Sequence, residues 1–421
     1  MRDIGDLRQR QALPLEAKVY MSQARIREWY DHWDGDVCVS FSGGKDSTVL
    51  AHLVHDLYPD VPLIFSNTGL EFPEIQKFAR EMGAEFIRPK MQFSEVISTY
   101  GYPLISKEVS ESIYYARRIR THSAVSSESE RRKADLMGKR WDDYRLEKSE
   151  IAIKRAEMNG QYVSGSRTET FKQLEKDAKE GWDDWRRNGL IGEEGRYTKS
   201  PFNKRKWLPL CNQTQFKISH YCCMVMKKQP LSKYQHKSGR KPFLGTLAEE
   251  SRMRTQAWIK NGCNAFEGSK KVSQPMAFWR EQDVLRYIYK NNIKIASVYG
   301  EIVGVDDMGF EYAPIPEIDC KLKCTGCSRT GCIFCGFGIH LDVEPRFKRI
   351  AKTHPKQYEY CMGGGQWVDN PDYDPTAPKM DGNWENWNPK KIWVPSKEGL
   401  GMKYVFDQCN QIYGKDFIRY E

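Results

Sequence analysis

The sequence predicts an α/β protein with a mainly parallel sheet and helices on both of its faces. Two observations carry this expectation. Short β-branched and apolar runs alternate with segments of helical period in the N-terminal part of the chain, and a glycine-rich hexapeptide separates the first such run from the helix that follows. Parallel strands need a crossover between them, and a helix is the usual one.

The elements follow in order. Residues 1–35 read as a helical segment, with the stretch 15–33 running into a turn at Asp34-Gly35. Residues 36–41 are apolar and β-branched and end at glycines, as a buried strand does. Residues 47–57 carry Val49, Leu50, Leu53, Val54 and Leu57 at helical offsets. Residues 62–66 read as a second strand, 73–82 as a second helix and 84–88 as a third strand. From about 116 to 157 the composition changes: Arg117, Arg118, Arg120, Arg131, Arg132, Lys133, Lys139 and Arg140 stand among Ser and Glu without a long apolar stripe, which predicts solvated helices inserted into the core domain. The strand pattern returns at 162–164 and 241–245. Residues 276–291 read as a helix, and 363–390, rich in Gly, Asn, Asp, Pro and Trp, as a long irregular segment. The expected domains are therefore a helical segment at 1–35, a nucleotide-binding domain at 36–300 with its basic insert near 116–160, and a cysteine-rich region at 301–421.

Composition narrows the function classes. A hydrophobic content of 39% over 421 residues is ample for a sizeable core and argues against wholesale disorder. No apolar run approaches the roughly 18 residues of a membrane span, and the polar N-terminus Met1-Arg2-Asp3 does not resemble a secretory signal, so a cytoplasmic protein is expected. Lys and Arg number 66 against 56 Asp and Glu, a net charge of +10 that suits a polyanionic partner such as ATP or nucleic acid.

The hexapeptide Ser42-Gly43-Gly44-Lys45-Asp46-Ser47 carries the strongest chemical signal. Glycines let the backbone approach a phosphate chain, and the free N–H groups and dipole of the following helix favour an anion. Lys45 adds a point charge, and the hydroxyls of Ser42 and Ser47 add donors. The hexapeptide resembles the PP-loop of the ATP pyrophosphatase superfamily, whose adenine nucleotide α-hydrolase-like domain splits ATP between the α and β phosphates. It lacks the Gly-Lys-Ser/Thr ending of a P-loop. The stretch from Phe65 to Glu74, containing Asn67-Thr68-Gly69 and Phe72-Pro73-Glu74, is similar to the Asp-Thr-Gly and Phe-Pro-Glu signatures of phosphoadenosine phosphosulfate (PAPS) reductases, with Asn67 in place of the acid. Met276 to Trp279, with Asp283-Val284-Leu285 and Tyr287-Ile288, resembles a later helix of that family. Gly245 to Arg254 is similar to its Gly-x-Arg, Glu-Ser, Arg segment, with Leu247 where an Arg is usual. The resemblance implies that ATP sits on residues 42–47 with Asn67, Thr68 and Gly69, that Mg2+ bridges the phosphates near Asp46, and that Glu250, Ser251, Arg252 and Arg254 hold the anionic end of a substrate. Lys107 joins that substrate-binding set, and Lys45, Asp46 and Arg254 are the expected catalytic residues.

Five of the 12 cysteines fall between Cys320 and Cys335. Cys324-x2-Cys327-x4-Cys332-x2-Cys335 reads as a set of metal ligands, and thiolates suit zinc and iron–sulfur alike. Cys320 is a further candidate. Cys222-Cys223, followed by Lys227-Lys228 and Pro230-Leu231, resembles a stretch of the iron–sulfur adenylylsulfate reductases, and this resemblance favours a four-iron four-sulfur cluster over zinc, with Cys222 and Cys223 joining the later cysteines. The nucleophilic cysteine that reductases of the family carry in a C-terminal Glu-Cys-Gly-Leu-His motif has no counterpart at Cys361 or Cys409.

The resemblance thus implies an adenylating enzyme of sulfur chemistry that releases AMP and pyrophosphate, with ATP, a nucleic-acid acceptor and a sulfur donor protein such as a cysteine desulfurase as its partners. A PAPS or adenylylsulfate reductase is one alternative. A nucleic-acid-binding module with structural zinc and a vestigial nucleotide site is the other.

Overall fold

Central strands covered on both faces are apolar at nearly every position, and Val37–Phe41 (β1) has that character: Val37, Cys38 and Val39 are fully buried. The computed structural model describes residues 2–117, 134–139, 204–268, 271–314, 320–375 and 387–421. The chain divides into two compact units, Met1–Phe93 with Cys223–Phe334, and Ser94–Cys222 with Cys335–Glu421.

In the first unit β1 is joined by Leu63–Ser66 (β2), Glu85–Ile87 (β3), Lys241–Leu244 (β4), Asn264–Ala265 (β5) and Val272–Ser273 (β6). The sheet order is β3-β2-β1-β4-β6-β5. All neighbours are parallel except the antiparallel β5–β6 edge pair, and the register places Val39 beside Leu63 and Val37 beside Lys241. Among the described residues seven α-helices belong to this unit: Ile4–Gln11 (α1), Leu15–His32 (α2), Lys45–His55 (α3), Pro73–Glu81 (α4), Gln229–Ser238 (α5), Arg252–Asn261 (α6) and Glu281–Lys290 (α7). α3 packs against both α2 and α7. Its Val49, Leu50, Leu53 and Val54 are completely buried, each contributing roughly 1.5–3 kcal/mol. α2 is tied to the α7 region by buried polar contacts. Lys18 Nζ donates to Asp283 Oδ2 at 2.7 Å, and Trp279 Nε1 donates to Ser22 Oγ at 2.9 Å.

The expected parallel α/β core is present with boundaries shifted by a residue or two. The later helix is shorter than expected: it begins at Glu281, because Met276 to Trp279 form turns before it.

The domain division differs from the expected one. The cysteine-rich stretch as far as Phe334 belongs to the first unit, because its strand Lys321–Cys324 pairs antiparallel with Ile302–Val305 and is clamped to α7. The Gln282 side chain receives the Leu322 N–H at 2.8 Å and donates to the Leu322 carbonyl at 2.9 Å.

Among the described residues the second unit holds two small strand pairings, Gly336–Phe337 parallel to Leu104–Ile105 and Gln366–Asp369 antiparallel to Lys391–Val394. The stretch expected to be irregular at 363–390 therefore contains a strand, stabilised by cross-strand packing of Trp367 on Trp393. Arg117 corrects another expectation. It is no solvated insert residue: its guanidinium donates to the carbonyls of Leu210, Cys211 and Phe216 and to Thr214 Oγ1 at 2.7–3.0 Å, and its Cζ lies 4.3 Å from the Trp387 ring centroid. The rest of the expected basic insert, including Arg131, Arg132, Lys133 and Arg140, and the strand at 162–164, lie outside the described residues, apart from Ala116 and 134–139.

Among the described residues no helix is long and apolar enough to cross a membrane.

Candidate active site

The loop from β1 to α3 is shaped by Gly43 and by two hydroxyls. Gly43 has φ +69°, and a Cβ there would fall 2.8 Å from Ile75 Cγ2, so only glycine fits. Ser47 Oγ accepts the Ser42 N–H at 3.2 Å, lies 3.0 Å from Ser42 Oγ and donates to the Gly44 carbonyl at 2.9 Å. Thr48 Oγ1 donates to the same carbonyl at 2.9 Å. The two serines thus brace the turn from within. Gly245 lets a second backbone pass close by, since a Cβ there would fall 2.9 Å from the Asp46 carbonyl oxygen.

Lys45 is buried, and its ammonium is held by Glu281 Oε1 at 3.2 Å and by the Tyr299 ring at 5.6 Å. Burial pushes the Asp46 carboxyl up from its ordinary value. Lys45, Arg329 and Arg254 oppose that rise and Glu281 adds to it. Three cations from distant parts of the sequence therefore converge around the start of α3. Arg254 pairs with Glu250, and Arg329 lies 3.9 Å from the same carboxylate. Burial lowers the Arg254 guanidinium while Asp46 supports its charge.

The predicted segment at 245–254 divides by role. Glu250 anchors Arg254 and accepts the Leu247 N–H at 3.1 Å. Ser251 caps α6 by accepting the Arg254 N–H at 3.3 Å. Arg252 is exposed, and Leu247 is buried in place of the expected arginine. Glu249 accepts the Glu281 N–H at 2.7 Å and so holds the carboxylate that holds Lys45.

The loop after β2 is closed on itself. Asn67 Oδ1 accepts the Gly69 N–H at 3.2 Å, and Glu71 accepts from the Thr68 N–H at 3.0 Å and the Thr68 hydroxyl at 2.8 Å. Glu71 in turn lies 3.6 Å from Lys227. Glu71 and Lys227 stand in stretches quoted for the family resemblance but had no role assigned there, whereas Glu281, Tyr299 and Arg329 escaped the sequence reading. Only Glu281 had a local signal, as the first acid of a helix, because the rest are joined to the loop by long-range packing. Lys107 lies in the second unit, exposed at the start of the helix Lys107–Arg117.

The cysteine-rich stretch borders this site through Tyr299. The Gly326 N–H donates to the Tyr299 carbonyl at 2.9 Å, the Cys327 N–H donates to the Val298 carbonyl at 2.9 Å, and the Thr330 and Tyr299 hydroxyls meet at 2.5 Å. Burial pushes the Tyr299 phenol up to about 12 and raises the Cys324 thiol, which Lys45 partly counters. Within the first unit the thiols stand in two sets. Cys324 neighbours Cys327, whereas Cys332 and Cys223 neighbour Lys227 and hold its ammonium above the usual lysine range although burial works against the charge. Cys222 and Cys335 belong to the second unit. Among the described residues no three His, Cys, Asp or Glu side chains are grouped to hold a metal ion.

The family model of the phosphoadenosine phosphosulfate reductase domain matches residues 36–222 and 198–336. The phosphoadenosine 5'-phosphosulfate reductases of Escherichia coli (strain SMS-3-5 / SECEC) and of Shigella flexneri are each 34% identical to this chain over 61 residues, 14% of its length and 25% of theirs. The chain thus spans a quarter of the length of these curated relatives. With the parallel sheet and the glycine loop after its first strand in place, the chain belongs to the phosphoadenosine phosphosulfate reductase domain family, a family of sulfur metabolism.

Proposed function

We propose that the chain is an ATP pyrophosphatase that adenylates an acceptor and prepares it for sulfur transfer. The observation that carries this reading is the buried Lys45 at the start of α3, held by the half-exposed Glu281, in the same unit as Arg254 and Arg329, which share Glu250. An oxygen of the acceptor attacks the α-phosphorus of ATP, the bond from that phosphorus to the bridging oxygen breaks, and pyrophosphate leaves with the electron pair. A sulfur nucleophile then displaces AMP. Lys45 and the backbone N–H groups after Gly43 offset the charge that grows on pyrophosphate, and Arg254 orients the anionic acceptor. Asp46 would hold Mg2+, which needs only one or two protein carboxylates when phosphates supply the rest and which neutralises phosphate charge. A nucleic-acid acceptor and a donor such as a cysteine desulfurase complete the proposal.

A PAPS reductase is the second reading, favoured by the names of the matched relatives. Against the usual thiol route, Cys361 and Cys409 are completely buried; burial raises both thiols, Cys409 to about 12. Product analysis separates the readings. Purified protein given α-labelled ATP should yield AMP and pyrophosphate, and Lys45→Ala should lower turnover by about 100-fold or more. ADP and phosphate as products would overturn the assignment, and sulfite released from PAPS without ATP cleavage would favour the reductase.

The cysteine spacing keeps a four-iron four-sulfur cluster in the proposal, with zinc as its alternative. A cluster spreads its thiolates over several irons and is less demanding of one point in space than a single ion. No step above passes through it. Anaerobically isolated protein should carry iron and acid-labile sulfide. A colourless protein with about one zinc would select the alternative.

A further inference from the structure

One cavity of the first unit takes no part in the phosphate loop. It has a volume of about 200 Å3 and is lined by Arg2, Arg10 and Arg25 with Glu28, Trp258 and Gly262. Arg2 precedes α1, Arg10 lies in its last turn, Arg25 and Glu28 stand on α2, and Trp258 and Gly262 belong to α6 and its C-terminal cap.

Gathering like charges in one recess is unfavourable unless an anion joins them. Glu28 supplies one carboxylate. It accepts from Arg25 Nη1 at 2.6 Å and from Asn264 Nδ2 at 3.0 Å. Among the described residues neither Arg2 nor Arg10 has a carboxylate within ion-pair reach. Three guanidinium groups against one carboxylate leave an excess of two positive charges.

The recess is also built to admit them. Gly262 has φ +71°, which favours glycine for the turn, and the Arg2 guanidinium lies over it, 2.6–2.9 Å from where a Cβ would stand. Arg10 Cζ sits 5.8 Å from the centroid of the Trp258 ring. The buried Trp258 ring forms part of the wall, and its indole interacts with the neighbouring Cys263 thiol.

We propose that this cavity binds a small tetrahedral oxyanion, inorganic phosphate or pyrophosphate, at a site separate from the phosphate loop. Planar guanidinium forks suit such oxygens, a dianion matches the excess charge, and the small volume suits a single small anion. The proposal does not depend on the reaction proposed above.

Calorimetric titration of the full chain at low ionic strength with phosphate, pyrophosphate and sulfate in separate arms tests it. Because pyrophosphate also suits the phosphate loop, the titration is repeated on Lys45→Ala, where the site should persist. Arg10→Gln should weaken binding about tenfold or more. Arg2→Gln should do the same, and it stands outside the helices, so the fold does not depend on it. Arg8→Gln, exposed on α1, should change nothing. Preference for pyrophosphate would assign the larger anion, and equal binding of phosphate would assign a single phosphoryl group. Absence of binding in the parent, binding lost in Lys45→Ala but kept in Arg10→Gln, or a preference for sulfate over both phosphates would overturn it.

Discussion

Lys45 and Arg117 are both basic side chains withdrawn from water, and they do opposite work. Lys45 has one carboxylate partner at 3.2 Å, and that partner, Glu281, is itself substantially exposed. The lysine can exchange it for a phosphate at little cost. Arg117 spends its donors on three backbone carbonyls and one hydroxyl and lays its face on Trp387. Burial lowers its pKa to about 10, so it remains charged at neutral pH. A cation with a replaceable partner belongs to a site, whereas a cation whose donors are all committed is a structural pin. Counting basic residues along the chain cannot separate the two.

The strongest way to break this contrast is Arg117→Ala. It would leave the acceptors of residues 210–216 without their donor, and the second unit should lose about 3–5 kcal/mol. The check is thermal or denaturant unfolding, and a change below about 1 kcal/mol would mean that Arg117 is not a pin. Arg117→Lys should recover only a minor part, because an ammonium cannot reproduce the planar fork.

Gly43→Ala probes the other side. Left-handed backbone strain and the contact with Ile75 Cγ2 should cost roughly 1–3 kcal/mol and displace the loop, with ATP turnover falling further than stability. Adding Ile75→Ala should relieve the contact but not the strain. Full recovery of turnover in the double variant would show that only space matters at Gly43.

The smallest effect is expected of Asp46→Asn on the unliganded protein. The Asp46 carboxyl is raised in the folded state, chiefly by burial. The folded form therefore holds the proton to higher pH than the unfolded form does. Stability contributed by this group declines as pH climbs from the ordinary carboxylate range through the raised value, and stays low above it. Asp46→Asn should accordingly raise Tm modestly at neutral pH, and the gain should vanish in acid where both states carry the proton. Melting curves across pH check the sign, and a variant destabilised at neutral pH would show that the carboxylate has a structural partner. Turnover should fall in the same variant, which would separate the site's chemistry from its stability.

Much of the first unit was legible in the sequence because its signals are local. The alternation of β1, β2 and β3 with helices follows from side-chain period. The turn at Gly43 follows from the residue that tolerates a positive φ, whereas Ser251, expected to hold substrate, is revealed by the structure as a helix cap. The family resemblance, rather than local pattern, grouped Lys45, Asp46 and Arg254 as expected site residues. Cysteine spacing was equally visible, but spacing reports only what the chain between two thiols permits.

By itself, then, the sequence determined the strand–loop–helix unit, its parallel α/β class and the glycine turn that opens the loop, since each depends on backbone preferences within a few residues. Only the tertiary structure decided that Glu281, 236 residues away, holds Lys45, that Arg329 and Tyr299 bring the cysteine-rich stretch to the loop, and that Arg117 turns inward to carbonyls. The reason is physical. Partner choice for a charged side chain depends on which distant carboxylates, carbonyls and ring faces the packing of strands and helices delivers within about 4 Å, and no local pattern encodes that distance.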